Sequence, residues 1–260
     1  MKLNYGYERL DTEINILNRM GRSIEIWWRD DDLESPSPQL DNLISTANDL
    51  KLPPLLAVIP ARVSKQLEKV LNKCDIKIAI HGFKHHNYEL LENKKSEFGS
   101  IRTLEAQKID LQNGMKQLEQ LFGKLFLKCL VPPWNHINDE LPHLLPSLGI
   151  TGLSTFASRK TTPSIPGLIQ VNTHVDIIDW KQTRKFIGAD LMAHEIASKL
   201  KNSRTGAKED QEPLGLLSHH LLMSGADWKE FQEVCGLLKE SSNIQLTAPQ
   251  NYFTTTQFGD

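Results

Sequence analysis

Short apolar runs rich in β-branched residues alternate along this chain with segments of helical periodicity, and no other feature restricts the fold so strongly. The runs occupy residues 24–28, 55–59, 76–80, 125–131, 150–153, 168–171 and 214–217, with a weaker one at 244–247. Each has strand length and strand composition. Between them, Leu104, Leu111, Met115, Leu118 and Phe122 share one helical face, with Lys and Gln on the other. Thr103 can cap the start of that helix. Residues 35–50, 64–71, 139–148, 190–200 and 227–239 also read as helices, with Ser64 and Asp190 as N-caps. Such alternation predicts an α/β fold with a parallel sheet. In 260 residues, seven or eight βα units close into a single distorted (β/α) barrel. An open doubly wound sheet is the competing architecture. No internal repeat or long linker interrupts the chain, so one domain is expected over residues 1–260. The polar segment 201–213 is expected as a surface loop or helix end.

Composition then excludes several functions. Lys and Arg total 30 against 32 Asp and Glu, a formal net charge of −2. That balance gives no general pull toward nucleic acid or an anionic membrane. No apolar stretch reaches the ~18–20 residues that span a bilayer. The stretch from Met1 to Glu8 has no apolar run, so no secretory signal is expected. Three cysteines, Cys74, Cys129 and Cys235, are odd in number and form no CxxC. A disulfide framework or thiolate zinc site is therefore not expected, and a reducing cytoplasm is. Cys74 and Cys129 are expected to pack in strands.

Polar and metal-ligating residues collect directly after the strands. Asp30, Asp31 and Asp32 follow the first, and His81, His85 and His86 follow the third. Pro132, Pro133, Trp134 and Asn135 follow the fourth. His174, Asp176, Asp179 and Trp180 follow the sixth, and His219 and His220 follow the seventh. In a parallel barrel all strand C-termini open on one face, so residues distant in sequence would converge there. Three adjacent carboxylates repel unless a cation absorbs their charge; the alternative is a solvated acidic loop. Histidines at i and i+4 can direct two imidazoles at one divalent ion; the alternative is a surface pair. An Asp/His/His set leaves positions open for water and substrate, as a hydrolytic metal site requires. His219 at a strand end can serve as a general acid near neutral pH, or be a buried, hydrogen-bonded histidine. His194-Glu195 fails as HExxH at its last position, and no GxGxxG, P-loop or GxSxG motif occurs.

In order, these clusters resemble the five motifs of the polysaccharide deacetylase superfamily, metal-dependent carbohydrate esterases with a NodB-type domain. Asp30-Asp31 resembles the first motif, and His81 to His85 the H-x-x-x-H second. Pro133-Trp134 resembles the third, Asp176 to Trp180 (D-x-x-D-W) the fourth, and Leu216 to His219 (L-x-x-H) the fifth. The resemblance covers roughly residues 24–220. It implies a NodB-like barrel and hydrolysis of an N-acetyl or related amide group on a sugar or other N-acylated small molecule. It implies a divalent metal, zinc in this superfamily, held by Asp31, His81 and His85. Asp30 would be the catalytic base that activates water, His219 the acid that protonates the leaving amine, and Asp179 the residue that orients His219. Pro133, Trp134, Trp180 and Asp176 would line the substrate site. A register shifted by one makes Asp31 the base and Asp32 the ligand. Family members carry Arg where this chain has Val131; Arg29, Arg62 and Lys128 are the cations available to replace it. Two other readings stay open: a catalytically silent carbohydrate-binding relative, and a glycosidase using Asp30 and Asp176 as its two carboxylates.

Overall fold

The computed structural model describes residues 5–159, 164–206 and 212–253. In chain order its elements are α1 (Tyr5–Met20), β1 (Ile24–Leu33), α2 (Pro38–Leu50), β2 (Leu55–Val58), α3 (Gln66–Leu71), β3 (Lys77–His81), α4 (Leu104–Phe122), β4 (Phe126–Val131) and α5 (Leu141–Leu144). There follow β5 (Gly152–Leu153), β6 (Ile169–Gln170), β7 (Val175–Asp176), α6 (Ala189–Thr205), β8 (Leu214–Ser218), α7 (Gly225–Glu240), β9 (Ile244–Leu246) and α8 (Gln250–Phe253). The chain divides into two compact units of non-contiguous segments. The first takes Met1–Arg29, Ser37–Pro53 and Thr173–Ala248, and the second Asp30–Pro36, Pro54–Asn172 and Pro249–Asp260.

In the second unit the strands run β6-β5-β4-β3-β2 to the last residues of β1. The pairs from β2 to β6 are parallel, with Ala57 beside Ala79, His81 beside Val131 and Cys129 beside Gly152. Parallel pairing puts the C-terminal ends of β3 and β4 at one edge. Leu55 to Val58 and Ile78 to Ile80 are almost wholly buried, which explains their unbroken apolar composition. Helix α4 packs the predicted face, burying Leu111, Met115, Leu118 and Phe122. Burying each such side chain stabilises the fold by about 1.5–3 kcal/mol. The Thr103 hydroxyl accepts the Ala106 N–H at 3.3 Å, as its position predicts. Gly114 lets this helix close on β3: a Cβ there would lie 2.7 Å from Ile80 Cδ1.

In the first unit β1 is flanked by β8, and β7 pairs with β8 in parallel through Val175–Leu216 and Asp176–Leu217. Strand β9 pairs with β1 from Ile24–Ile244 to Ile26–Leu246. Trp28 stacks against Trp228 and Phe231, and its indole N–H donates to Ser218 Oγ at 2.8 Å. Leu10, Ile14 and Leu17 make the buried face of α1, which packs on α6. Glu13 on α1 is ion-paired to Arg204 on α6, with Oε1 accepting from Nη2 at 3.1 Å.

The eight predicted strands are all present, several shortened by a residue or two. Three elements were not expected: α1, α8 and the two-residue β7. Asp190 does not cap its own helix, whose N-cap is Gly188; its carboxylate accepts the Gly6 N–H at 2.8 Å and so caps the start of α1. A Cβ at Gly6 would lie 1.8 Å from the Asp190 carbonyl, so the contact needs glycine. Ser64, in contrast, does cap α3: its Oγ accepts the Gln66 N–H at 3.2 Å, and Lys65 between them already has helical backbone angles. Segment 201–213 is helical to Thr205, and residues 207–211 lie outside the described ones. The three cysteines are free. Cys129 is buried in β4, whereas Cys74 is half-buried in the turn after α3 rather than in a strand. Among the described residues no helix is long and apolar enough to cross a membrane.

Candidate metal centre

Three ligand-type side chains converge in the second unit. Asp32 Oδ1 lies 3.1 Å from His81 Nε2 and 3.2 Å from His85 Nε2. The ligand atoms of the three residues all fall within 4.8 Å of one another. His81 ends β3, and its Nδ1 is 2.9 Å from the carbonyl of Val131, its neighbour on β4. A carbonyl only accepts, so Nδ1 carries the proton. The neutral ring then has its lone pair on Nε2, facing the carboxylate oxygen. Two acceptors 3.1 Å apart require a proton or another cation between them. Burial of His81 pushes its pKa down, but the Asp32 hydrogen bond and the charges of Asp31 and Asp32 outweigh it and hold the ring above its ordinary value. The donor set of two imidazole nitrogens and one carboxylate fits zinc.

This arrangement favours the shifted register. Asp32, not Asp31, faces the histidines. The physical reason is local: Asp32 has φ 71, so its backbone leaves the extended conformation and its side chain leaves the alternation of β1. Asp30 and Asp31 are both buried in β1. Of the cations considered for the place of Val131, Arg62 is half-exposed and paired with Glu34 at 3.0 Å. Lys128 is exposed, 3.7 Å from Glu119. Arg29 is fully buried, and strand alternation puts it on the same face of β1 as Asp31.

Pro133 and Trp134 follow β4 in a 3-10 turn. Trp134 has φ 55 and stacks on His85 with ring centroids 4.4 Å apart, while 37% of its surface stays exposed. Pro133 is buried, and a Cβ at Gly82 would meet its Cγ at 2.7 Å, so it packs beside the histidine loop. His86 packs edge-on against Tyr88 and is not among the converging ligands.

The remaining candidates lie in the first unit. His219 is buried just past β8, with the ring of Trp180 edge-to-face on it at 4.7 Å. Trp180 donates its indole N–H to Asp176 Oδ2 at 2.7 Å. Asp179 is engaged elsewhere. One oxygen accepts the Lys181 and Gln182 N–H groups, and the other accepts the N–H and hydroxyl of Thr183. Those bonds, the Thr183 N–H first, hold the Asp179 carboxyl below its ordinary pKa. These bonds close the turn that Asp179 begins. His174 is structural: its Nδ1 accepts the Gly215 N–H at 3.1 Å, and Nε2 faces Glu212.

Neither a protein-family model nor a curated protein sequence matches this chain. Solved structures do. A proposed polysaccharide deacetylase from Mycobacterium smegmatis aligns over 89% of both chains, with TM-score 0.67 and 15% identity. The fold is that of the polysaccharide deacetylases. A peptidoglycan N-acetylglucosamine deacetylase with this fold covers 89% of this chain and 91% of its own, with TM-score 0.53 and 14% identity. A CE4 family pseudoenzyme from Bacillus anthracis is also similar, with TM-score 0.58 and 12% identity over 89% of this chain and 66% of its own. The expected α/β class and NodB-like (β/α) barrel are therefore correct; at these identities the likeness reaches no further than the fold.

Proposed function

We propose that the protein is a metal-dependent hydrolase that removes an N-acetyl group from a sugar or saccharide. The observation that carries this reading is one carboxylate oxygen 3.1 and 3.2 Å from two imidazole Nε2 atoms at the strand ends of a deacetylase fold. Asp32, His81 and His85 would hold the ion. When bound, a divalent ion such as zinc lowers the pKa of water and polarises the acyl oxygen. Asp31, next to the ligand Asp32, takes the proton from the attacking water. The water oxygen bonds to the acyl carbon, the C–N bond breaks, and acetate leaves. His219, protonated, supplies the proton to the departing amine. Trp134 and Trp180 are both partly exposed, and aromatic rings are of the kind that sugars stack on. The peptidoglycan N-acetylglucosamine deacetylase of the same fold supports the choice of an N-acetylated sugar.

Metal analysis of the purified protein, with release of amine from a panel of N-acetylated sugars, tests the reading. Stoichiometric zinc and chelator-sensitive amine release are expected. Full activity in excess chelator would overturn it. Val131 and the pseudoenzyme of the same fold motivate a second reading, a silent sugar-binding relative. Sugar binding without amine release, unaffected by Asp31→Asn, would establish that alternative. The glycosidase reading is weakened because Asp176 already accepts from Ile178 N–H and from Trp180.

A further inference from the structure

Glu97 lies outside every motif considered above, in the long connection between β3 and α4. Its side chain is fully buried. It accepts three consecutive backbone N–H groups: Phe83 at 3.2 Å and His85 at 3.1 Å on Oε2, and Lys84 at 2.8 Å on Oε1. Successive N–H groups curled round one anion form a nest. This nest is the turn between the two candidate histidine ligands. It begins at Gly82, φ 63, and ends at His85, φ 53. Left-handed φ is unfavourable for histidine and persists only where surrounding contacts enforce it.

The carboxylate and the glycine require each other. A Cβ at Gly82 would lie 2.0 Å from Glu97 Oε2, so only glycine lets the carboxylate reach the turn. Glu97 is itself clamped from both sides. Ser96 donates its hydroxyl to the His136 carbonyl at 2.9 Å and accepts the Phe98 N–H at 3.0 Å. The Ser96 N–H goes to Asn87 Oδ1 at 2.9 Å, and the fully buried Phe98 bridges to Ile137. The position of His85 is thus set by a carboxylate twelve residues downstream.

We infer that Glu97 is a positioning residue for the metal centre, fixing His85 Nε2 at the spacing from His81 and Asp32 that a single ion needs. The inference rests on the metal reading given above. The test is zinc affinity, measured by competition with a chromophoric chelator, for wild type, Glu97→Gln, His85→Ala and the double variant. In Glu97→Gln an amide N–H₂ faces backbone donors, and one side of the nest loses its acceptor. Zinc affinity is expected to fall about 10–100-fold, as for other residues that orient ligands. In the His85→Ala background the same change is expected to have no effect, because the ligand it places is gone. A general structural defect would lower affinity equally in both backgrounds, and that result overturns the inference. So does a Glu97→Gln protein with wild-type affinity. If Glu97→Gln does not fold, Glu97→Asp, which keeps the charge but shortens the reach, is read by the same criteria. A wild-type protein that takes up no zinc fails the metal reading itself, and this inference with it; that outcome is distinct from a wild type that binds and a variant that binds equally.

Discussion

The two groups of candidate residues are held in different ways. In the second unit the two candidate histidine ligands are each fixed by a hydrogen bond to a buried acceptor. Val131 sets the His81 tautomer, and Glu97 sets the backbone of His85. In the first unit His219 is held by the edge of an aromatic ring, and that ring by Asp176. An ion tolerates little error in ligand distance, so its ligands need a fixed backbone and a fixed tautomer. A proton donor must change protonation state in each cycle, and an aromatic wall restrains it in either state. On the proposed reading the two groups would have separable functions, ion binding by one and proton delivery by the other.

The strongest way to break that division is to remove ligands. Asp32→Ala, His81→Ala and His85→Ala are each expected to leave less than stoichiometric zinc in the purified protein, with a weakened affinity that chelator competition still reads, and to lower amine release on the order of a thousandfold or more. Elemental analysis and a fixed-substrate assay check this. If both histidine variants keep full zinc, the centre is misassigned. Asp31→Ala is the complementary case. It is expected to keep zinc and lose activity, whereas zinc loss in Asp31→Ala with retention in Asp32→Ala would restore the unshifted register.

Removing the proton donor tests the other side. His219→Gln is expected to leave zinc content unchanged and to lower kcat by roughly 10²–10⁴, the usual worth of a general acid. The loss should be greatest for substrates with poor leaving amines. Zinc loss in His219→Gln would end the separation of functions.

These expectations depend unequally on the sequence. The strands were legible because β2 is a continuous buried run and β3 and β4 are buried except at Lys77 and Lys128. Strand β7 was not, since its two residues end a mostly polar stretch, residues 172–176, with no apolar run to mark it. Helix α1 was legible in principle from Leu10, Ile14 and Leu17, which are spaced as one helical face. The histidine pair followed from its i, i+4 spacing. The choice among Asp30, Asp31 and Asp32 did not, because it turns on a left-handed φ at Asp32 that its identity permits but does not demand. Glu97 could not be found by motif. It acts on backbone N–H groups, which leave no side-chain pattern, and its one trace is the glycine at position 82. Asp179 shows the opposite case: its place in a D-x-x-D-W pattern suggested a partner for His219, and the pattern carried no sign that its oxygens also serve the turn beside it.

Acidity sharpens the ligand side. The fold raises the His81 pKa, since the carboxylates outweigh burial. In metal-free protein the protonated ring therefore contributes stability that is fully present below its unfolded pKa of about 6.5 and is lost as pH rises through the folded value. Zinc must displace that proton. Its apparent affinity is expected to rise about tenfold per pH unit until the folded pKa is passed, and to flatten above it. Chelator competition between pH 5.5 and 9 checks the slope. A flat profile would mean that His81 releases no proton on binding.

The smallest expected effect separates the two carboxylates of the first unit. Asp176→Asn weakens the charge-assisted bond that holds the Trp180 indole, and through it the wall against His219. A several-fold drop in kcat is expected, with zinc content intact. Asp179→Asn weakens the acceptor of an exposed turn whose bonds run to Lys181, Gln182 and Thr183. It is expected to change kcat less than threefold and to leave the alkaline limb of the kcat profile, where a general acid loses its proton, where it is. If Asp179→Asn instead costs as much as His219→Gln and shifts that limb, Asp179 is the histidine's electrostatic partner during turnover. The aromatic restraint would then be a resting arrangement, and the two groups would be held by the same kind of force after all.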